Sequence, residues 1–351
     1  MKPLLRYTDP HTLVMMKERA LLLDIFRIIL CIGVVVYHFV WPRPSSGPYM
    51  VNGFFVMSGF LIGIMFRKTE VLDVTSFYAN KVRRLLPLFL VALLLGIIYH
   101  VCTGEMLPEW TPDTWGSFRV SSLLSFYNTP LWYMAVECTL LFIVPFFFFL
   151  HRFKYGIPCI ALSLMLITAV LFSMIPDASP FGKGMYYSPL ARSWQFTLGI
   201  ASVSLYVFIV EKNVHRSVFF RVSTVALFVV FAIVGGILMC VEQVEELNYW
   251  NYSFSFDFLT TCFYALLVPC LFAFTCKAGV KTSACVSYLA LLTYPVFLFH
   301  VPVYKFTCDA IELYGYPEKW VYRVTAALVT VLFSALLMWA EKRLMSRKRT
   351  V

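Results

Sequence analysis

Ten stretches of roughly 20 mostly apolar residues recur along this chain, and that is the length an α-helix needs to cross a bilayer. They cover 21–40, 49–66, 85–102, 131–150, 157–175, 189–210, 218–240, 256–276, 285–304 and 321–340. A soluble domain could not hide so much apolar surface. The chain is 60% hydrophobic and 14% charged, against about 45–50% and about 25% in ordinary soluble domains. Lipid offers no partner for an unpaired peptide group, so each stretch must be helical. The predicted fold is an all-α polytopic membrane bundle of about ten transmembrane helices, with both termini cytoplasmic. Residues 21–341 form one membrane domain, 1–20 a cytoplasmic segment and 342–351 a basic cytoplasmic tail. Asp24 and Arg27 interrupt the first stretch and no small-residue cleavage site follows, so it reads as a span rather than a signal peptide.

Charge sets the expected orientation. Of the 29 Lys and Arg, 21 fall on segments that a cytoplasmic N-terminus places inside and 5 on outside segments. The remaining three, Arg27, Arg192 and Arg323, lie within spans. This is the positive-inside pattern, and it accounts for the net charge of +10 without nucleic acid. Membrane lipids are the expected surroundings. The 10 Cys contain no CxxC pair and read as small packing residues, so no metal site and no disulfide framework are expected. The tract 146–149, four consecutive Phe, reads as lipid-facing.

Ionisable residues inside spans are costly there and usually face a cavity or a partner. Asp24 and Arg27 are three residues apart, on one face of the first helix. His38 follows Arg27 by eleven residues, which is roughly 16 Å higher on a helix. Glu137 lies about two turns below the outer end of the fourth span, at a depth expected to match His38. A His–Glu pair in a dry cavity makes an oriented base; an unrelated hydrogen-bonded carboxylate fits equally. Arg192, Trp194, Tyr294 and His300 fall toward the outer half, with Trp132, Tyr186 and Tyr187 at similar levels. Such a set suits a sugar cleft, and each member singly suits an interfacial aromatic belt. Lys81, Arg83 and Arg84 stand at the inner mouth of the third span. They could hold phosphates or simply obey positive-inside sorting. Gly53, Ser58 and Gly59 mark a helix that permits close approach, either by another backbone or by a slim ligand.

These segments together resemble the membrane-bound acyltransferase-3 family. The matching motifs are Leu23-Asp24-Ile25-Phe26-Arg27 with Tyr37-His38, Gly53-Phe54-Phe55-Val56-Met57-Ser58-Gly59-Phe60, and Lys81-Val82-Arg83-Arg84-Leu85-Leu86-Pro87. Two more are Leu131-Trp132-Tyr133-Met134-Ala135-Val136-Glu137 and Tyr294-Pro295-Val296-Phe297-Leu298-Phe299-His300, with a terminal Glu341. Lys81 stands where the family has Arg, which keeps the charge and loses the bidentate fork. Thr293 replaces the usual Ser, and Gln195 sits where an acidic or apolar residue is expected. No appended SGNH-type hydrolase domain is expected.

The resemblance implies transfer of an acyl group, commonly acetyl from acetyl-CoA, to a sugar hydroxyl of a surface or exported glycan. His38 would be catalytic, with Glu137 orienting it. Asp24, Arg27, Ser58, Lys81, Arg83 and Arg84 would bind the donor, whose thin arm would thread past Gly53, Ser58 and Gly59. Arg192, Trp194, Tyr294 and His300 would receive the acceptor. The setting would be the bacterial inner membrane, with a glycan-biosynthesis complex as a potential partner. Two other classes use the same cavity without chemistry. They are a transporter of lipid-linked glycans and a non-catalytic partner in glycan assembly.

Overall fold

The computed structural model describes residues 10–39, 46–104, 124, 127–174, 188–240, 254–274, 279–313 and 319–347. The side chains of residues 10–20 are not among those described. The described residues form helices α1 (Pro10–Phe39), α2 (Ser46–Lys68), α3 (Val74–Thr103), α4 (Leu131–Phe142), α5 (Val144–Leu150) and α6 (Gly156–Met174). They continue with α7 (Pro189–Glu211), α8 (Val218–Cys240), α9 (Phe254–Ala273), α10 (Val280–Leu313) and α11 (Lys319–Arg347). Nine of these helices are long and apolar enough to cross a membrane, and ten spans result if α4 and α5 count as one. The chain is an integral membrane protein, and each of the ten apolar stretches falls on one of these spans.

The fourth stretch is broken rather than continuous. α4 and α5 meet at 44°. Pro145 lies at the start of α5, so it has no N–H for the turn before it and its ring crowds the carbonyl four residues back. Ile143 leaves helical geometry at φ −90°, ψ 4°, and its N–H reaches Leu140 O at 3.3 Å. The bend also divides the phenylalanine tract. Phe146 and Phe149 are each 53% exposed, but Phe147 and Phe148 are buried in the core. Only half of the tract faces lipid, because a helix turns successive side chains by about 100°.

Helices sort into an inner and an outer set. In α2, 78% of the spanning window is buried, compared with 17% in α6 and in α11. The outer helices α3, α6, α8 and α11 present Leu94, Leu166, Val229 and Leu332 outward, which costs nothing in hydrocarbon. Lipid supplies no hydrophobic drive to press helices together, so close contact depends on small residues. α2 packs on α7 through Gly59, Gly63 and Gly199. A Cβ at Gly59 would stand 1.9 Å from Phe196 O, and one at Gly199 would stand 2.2 Å from Val56 O. The backbones touch, and no larger residue fits at either point.

That contact corrects the expected path of a donor arm. Gly59 is closed by the α7 backbone, and Gly53 faces the Leu30 methyls and the Tyr264 ring. Of the three positions, Ser58 alone opens onto a cavity.

Candidate active site

Two faces of α2 carry different chemistry. One face, with Phe54, Ser58, Leu61 and Met65 spaced at helical intervals, lines a cavity of about 360 Å³. The other, with Asn52, Gly59 and Gly63, meets α7 and α9.

The cavity gathers residues from five helices. α1 contributes Arg27, α3 Lys81 and Arg84, α4 Tyr133 and Glu137, and α10 Thr293, Tyr294 and Phe297. Helical spacing explains the choice on α3. Lys81 and Arg84 are one turn apart and share a face, whereas Arg83 is exposed and does not line the cavity. α3 itself is started firmly by Asp73, which accepts from Ser76 N at 3.0 Å and from Ser76 Oγ at 2.6 Å. Those bonds hold the Asp73 carboxyl below its usual range. Across the cavity, Tyr294 Oη donates to Leu85 O at 2.6 Å and ties α10 to α3.

The cavity is strongly charged for its depth. Glu137 is 8% exposed. Ser58 and Tyr133 are its polar neighbours and the Lys81 ammonium its nearest opposite charge. Arg27 lies within electrostatic reach of Asp24 and Arg84. Asp24 also accepts from Ser287 Oγ at 3.4 Å. Glu341, on α11, is a charge neighbour of Arg84. Three cations, Arg27, Lys81 and Arg84, therefore converge at one end of the bundle, with Asp24, Glu137 and Glu341 as their charge neighbours. Arg27, Lys81 and Arg84 are the groups in it that could meet an anionic ligand.

His38 does not meet Glu137. Its ring stands 5.0 Å from that of His300. Glu137 is taken up by Ser58, Tyr133 and Lys81. Depth alone did not separate the two: Glu137 lines the cavity with Arg27, Lys81 and Arg84, and His38 does not. Phe297 connects the two sites: it lines the cavity and its ring lies 5.9 Å from His300. The histidines thus stand one aromatic ring beyond the cavity. His38 occupies the last turn of α1.

Arg192 and Trp194 belong to a separate place. Each is 1% exposed. Arg192 Nη1 pairs with Asp257 Oδ2 at 2.7 Å, and also reaches Asn52 Oδ1 at 3.3 Å and Gln195 Oε1 at 3.4 Å. Asn52 Nδ2 donates to Asp257 Oδ1 and to Thr260 Oγ1, both at 2.8 Å. Gln195 Nε2 closes the network on Asn52 Oδ1 at 3.1 Å. This network joins α2, α7 and α9, and it explains Gln195, whose amide both donates and accepts there. Trp194 packs beside Phe254 and Phe258. Of the four acceptor residues expected from sequence, Tyr294 lines the cavity and His300 adjoins His38. Arg192 and Trp194 reach neither. Tyr186 and Tyr187 lie outside the described residues. Two residues were missed, Tyr133 and Asp257. Asp257 is an acid inside an apolar stretch, and the same rule that flagged Glu137 would have found it.

A family model described as an acyltransferase domain matches residues 21–339. The chain belongs to this acyltransferase family. Its relatives include YrhL of Bacillus subtilis (strain 168), named provisionally as a peptidoglycan O-acetyltransferase, at 22% identity over 340 residues. That alignment covers 90% of this chain and 53% of YrhL. The O-acetyltransferase OatA of Staphylococcus aureus (strain NCTC 8325 / PS 47) is 22% identical over 90% of this chain and 54% of its own length. The peptidoglycan O-acetyltransferase OatA of Listeria monocytogenes is 24% identical over 53% of this chain and 34% of its own. The chain spans about half the length of the first two. No solved structure matches it. The family match begins at the first span and ends within the last, so it covers the cavity and both histidines.

Proposed function

We propose that this acyltransferase-family chain is a membrane O-acyltransferase. It moves an acyl group, most simply acetyl, from acyl-CoA at the cytoplasmic end of the bundle to a sugar hydroxyl of an envelope glycan at the outer end. The bacterial inner membrane is its setting. The observation that carries this reading is the cavity itself, which gathers Arg27, Lys81 and Arg84 and ends at Phe297, the ring that separates it from His300 and His38. Cations at the entrance suit the phosphates of coenzyme A through charge-assisted hydrogen bonds. From Arg27 to His38 is eleven residues of helix, roughly 16 Å, a span suited to an extended thioester arm. The names of the relatives favour peptidoglycan as the glycan.

His38 acts as the base. As the sugar oxygen attacks the thioester carbonyl, its proton passes to the imidazole. The C–S bond breaks, and the departing thiolate takes the proton back from the imidazolium. Glu137, beside Ser58 and Tyr133, keeps the Lys81 ammonium turned into the cavity and shapes its wall. It works on the donor side rather than on His38.

The test is turnover of acetyl-CoA by the purified protein, read as free CoA, with muropeptides released from cell walls as acceptor. Wild type is expected to release CoA and His38→Ala to release none while folding normally. Equal release by both proteins, or no CoA binding by either, overturns the reading.

A further inference from the structure

We propose that His300 is a positioning residue for His38: its Nε2 accepts the N–H of His38 and fixes the tautomer in which the other His38 nitrogen is a free base. This rests on the acyltransfer reading above and extends it. His300 is fully buried. Its Nδ1 lies 2.8 Å from Phe297 O and 3.2 Å from Val296 O. A carbonyl oxygen can only accept, so Nδ1 carries the proton. A neutral imidazole with Nδ1–H has a bare lone pair on Nε2. That Nε2 is buried with no hydrogen-bond partner among the described residues, and a buried acceptor left unpaired is unfavourable.

The rings around His300 narrow the choice of donor. Phe39 and Phe297 approach it at 6.0 Å and 5.9 Å, and neither has a polar hydrogen. His38 approaches more closely, at 5.0 Å between centroids with the planes at 51°. Two imidazoles at about this separation need only a small ring rotation to bring an N–H into hydrogen-bond range of a ring nitrogen. His38 is the less enclosed member, so it can face an acceptor hydroxyl while His300 stands behind it. The backbone carbonyls of α10 thus set His300, and His300 sets His38. Because His300 is neutral, it supplies orientation and tautomer but no countercharge.

The consequence is specific to the residue that replaces His300. A glutamine keeps an acceptor oxygen near the place of Nε2, and a phenylalanine fills similar space with none. In the full chain reconstituted in lipid nanodiscs, with acetyl-CoA as donor and muropeptides as acceptor probe, His300→Phe is expected to lose kcat by about 100-fold, the scale of a misplaced reacting group. The KM for acetyl-CoA should stay unchanged, and His300→Gln should recover at least a third of the wild-type kcat. A His300→Phe variant that keeps wild-type kcat, or that loses only acceptor KM, overturns the proposal. A second measurement does not depend on turnover. The chain has only 6 His, so ¹⁵N-histidine NMR can follow His38 directly. A single His38 tautomer is expected in the wild type and exchange between both in His300→Phe. An unchanged His38 signal in that variant overturns the proposal even if no protein turns over, whereas a changed signal without turnover upholds it and counts against the acyltransfer reading.

Discussion

Gly59 lies directly against the carbonyl oxygen of Phe196, so that a Cβ at position 59 would stand 1.9 Å away. The obstacle is backbone, which cannot rotate aside. Gly59→Ala should therefore separate α2 from α7, at about the 1–3 kcal/mol typical of overpacking or above it. Gly53→Ala meets side chains only, the Leu30 methyls at 3.0 Å and the Tyr264 ring at 3.3 Å, and Gly236→Ala meets nothing within 4 Å. Melting temperatures of the detergent-solubilised variants should fall in that order, with Gly59→Ala lowest and Gly236→Ala at wild type. Equal melting of all three would mean that α2 and α7 are not in contact.

The Arg192–Asp257 pair makes a second prediction about folding. Removing one partner of a buried ion pair typically costs about 3–5 kcal/mol, whereas replacing both with apolar groups is often neutral. Asp257→Ala should sharply reduce the yield of monodisperse protein. Arg192→Met combined with Asp257→Leu should restore much of it, limited by Asn52 and Gln195, which would lose partners. If Arg192 contacts substrate instead, the double variant folds but its acceptor KM rises steeply. Comparing yield with KM separates the two roles.

Much of this was legible in the sequence because hydropathy and charge act locally. Each span announces itself by length, and the break at Ile143 is signalled by Pro145. The co-location of Arg27, Lys81 and Arg84 follows from orientation, since each sits in the first half of an apolar span, or just before it, on a helix that enters from the same side. What sequence could not give is azimuth. Arg83 and Arg84 are adjacent in the chain, yet only Arg84 faces the cavity. Glu137 and His38 were matched by depth, but the facing of α10 puts His300, not Glu137, beside His38. Depth is one coordinate of three, and the other two come from packing.

The azimuth of α3 predicts a donor-side contrast. Arg84→Ala and Lys81→Ala should each raise the KM for acetyl-CoA by about tenfold or more, since a hydrogen bond to a charged group contributes about 1.5–3 kcal/mol. Arg83→Ala should stay within about threefold, because its side chain does not line the cavity. Lys81→Arg, which restores the bidentate fork, should lower the KM. Steady-state kinetics on the four variants decides this, and a large Arg83 effect with a small Arg84 effect would refute the assignment.

Glu137 permits the sharpest substitution. Glutamine keeps an oxygen that can accept from Ser58 and Tyr133 and has the same shape, but it removes the charge facing Lys81. Glu137→Gln should therefore fold normally and melt at or near the wild-type temperature. Its turnover of acetyl-CoA should fall by about 10- to 100-fold, with the loss mainly in donor KM, because an unanchored Lys81 no longer fixes the donor. Combining Glu137→Gln with Lys81→Ala should then cost little more than Lys81→Ala alone, since coupled neighbours are not additive. Full additivity would show that Glu137 acts independently of Lys81. A loss confined to kcat would return the carboxylate to the chemical step, and would mean that the wall between Glu137 and His38, formed by Phe297, opens during the reaction.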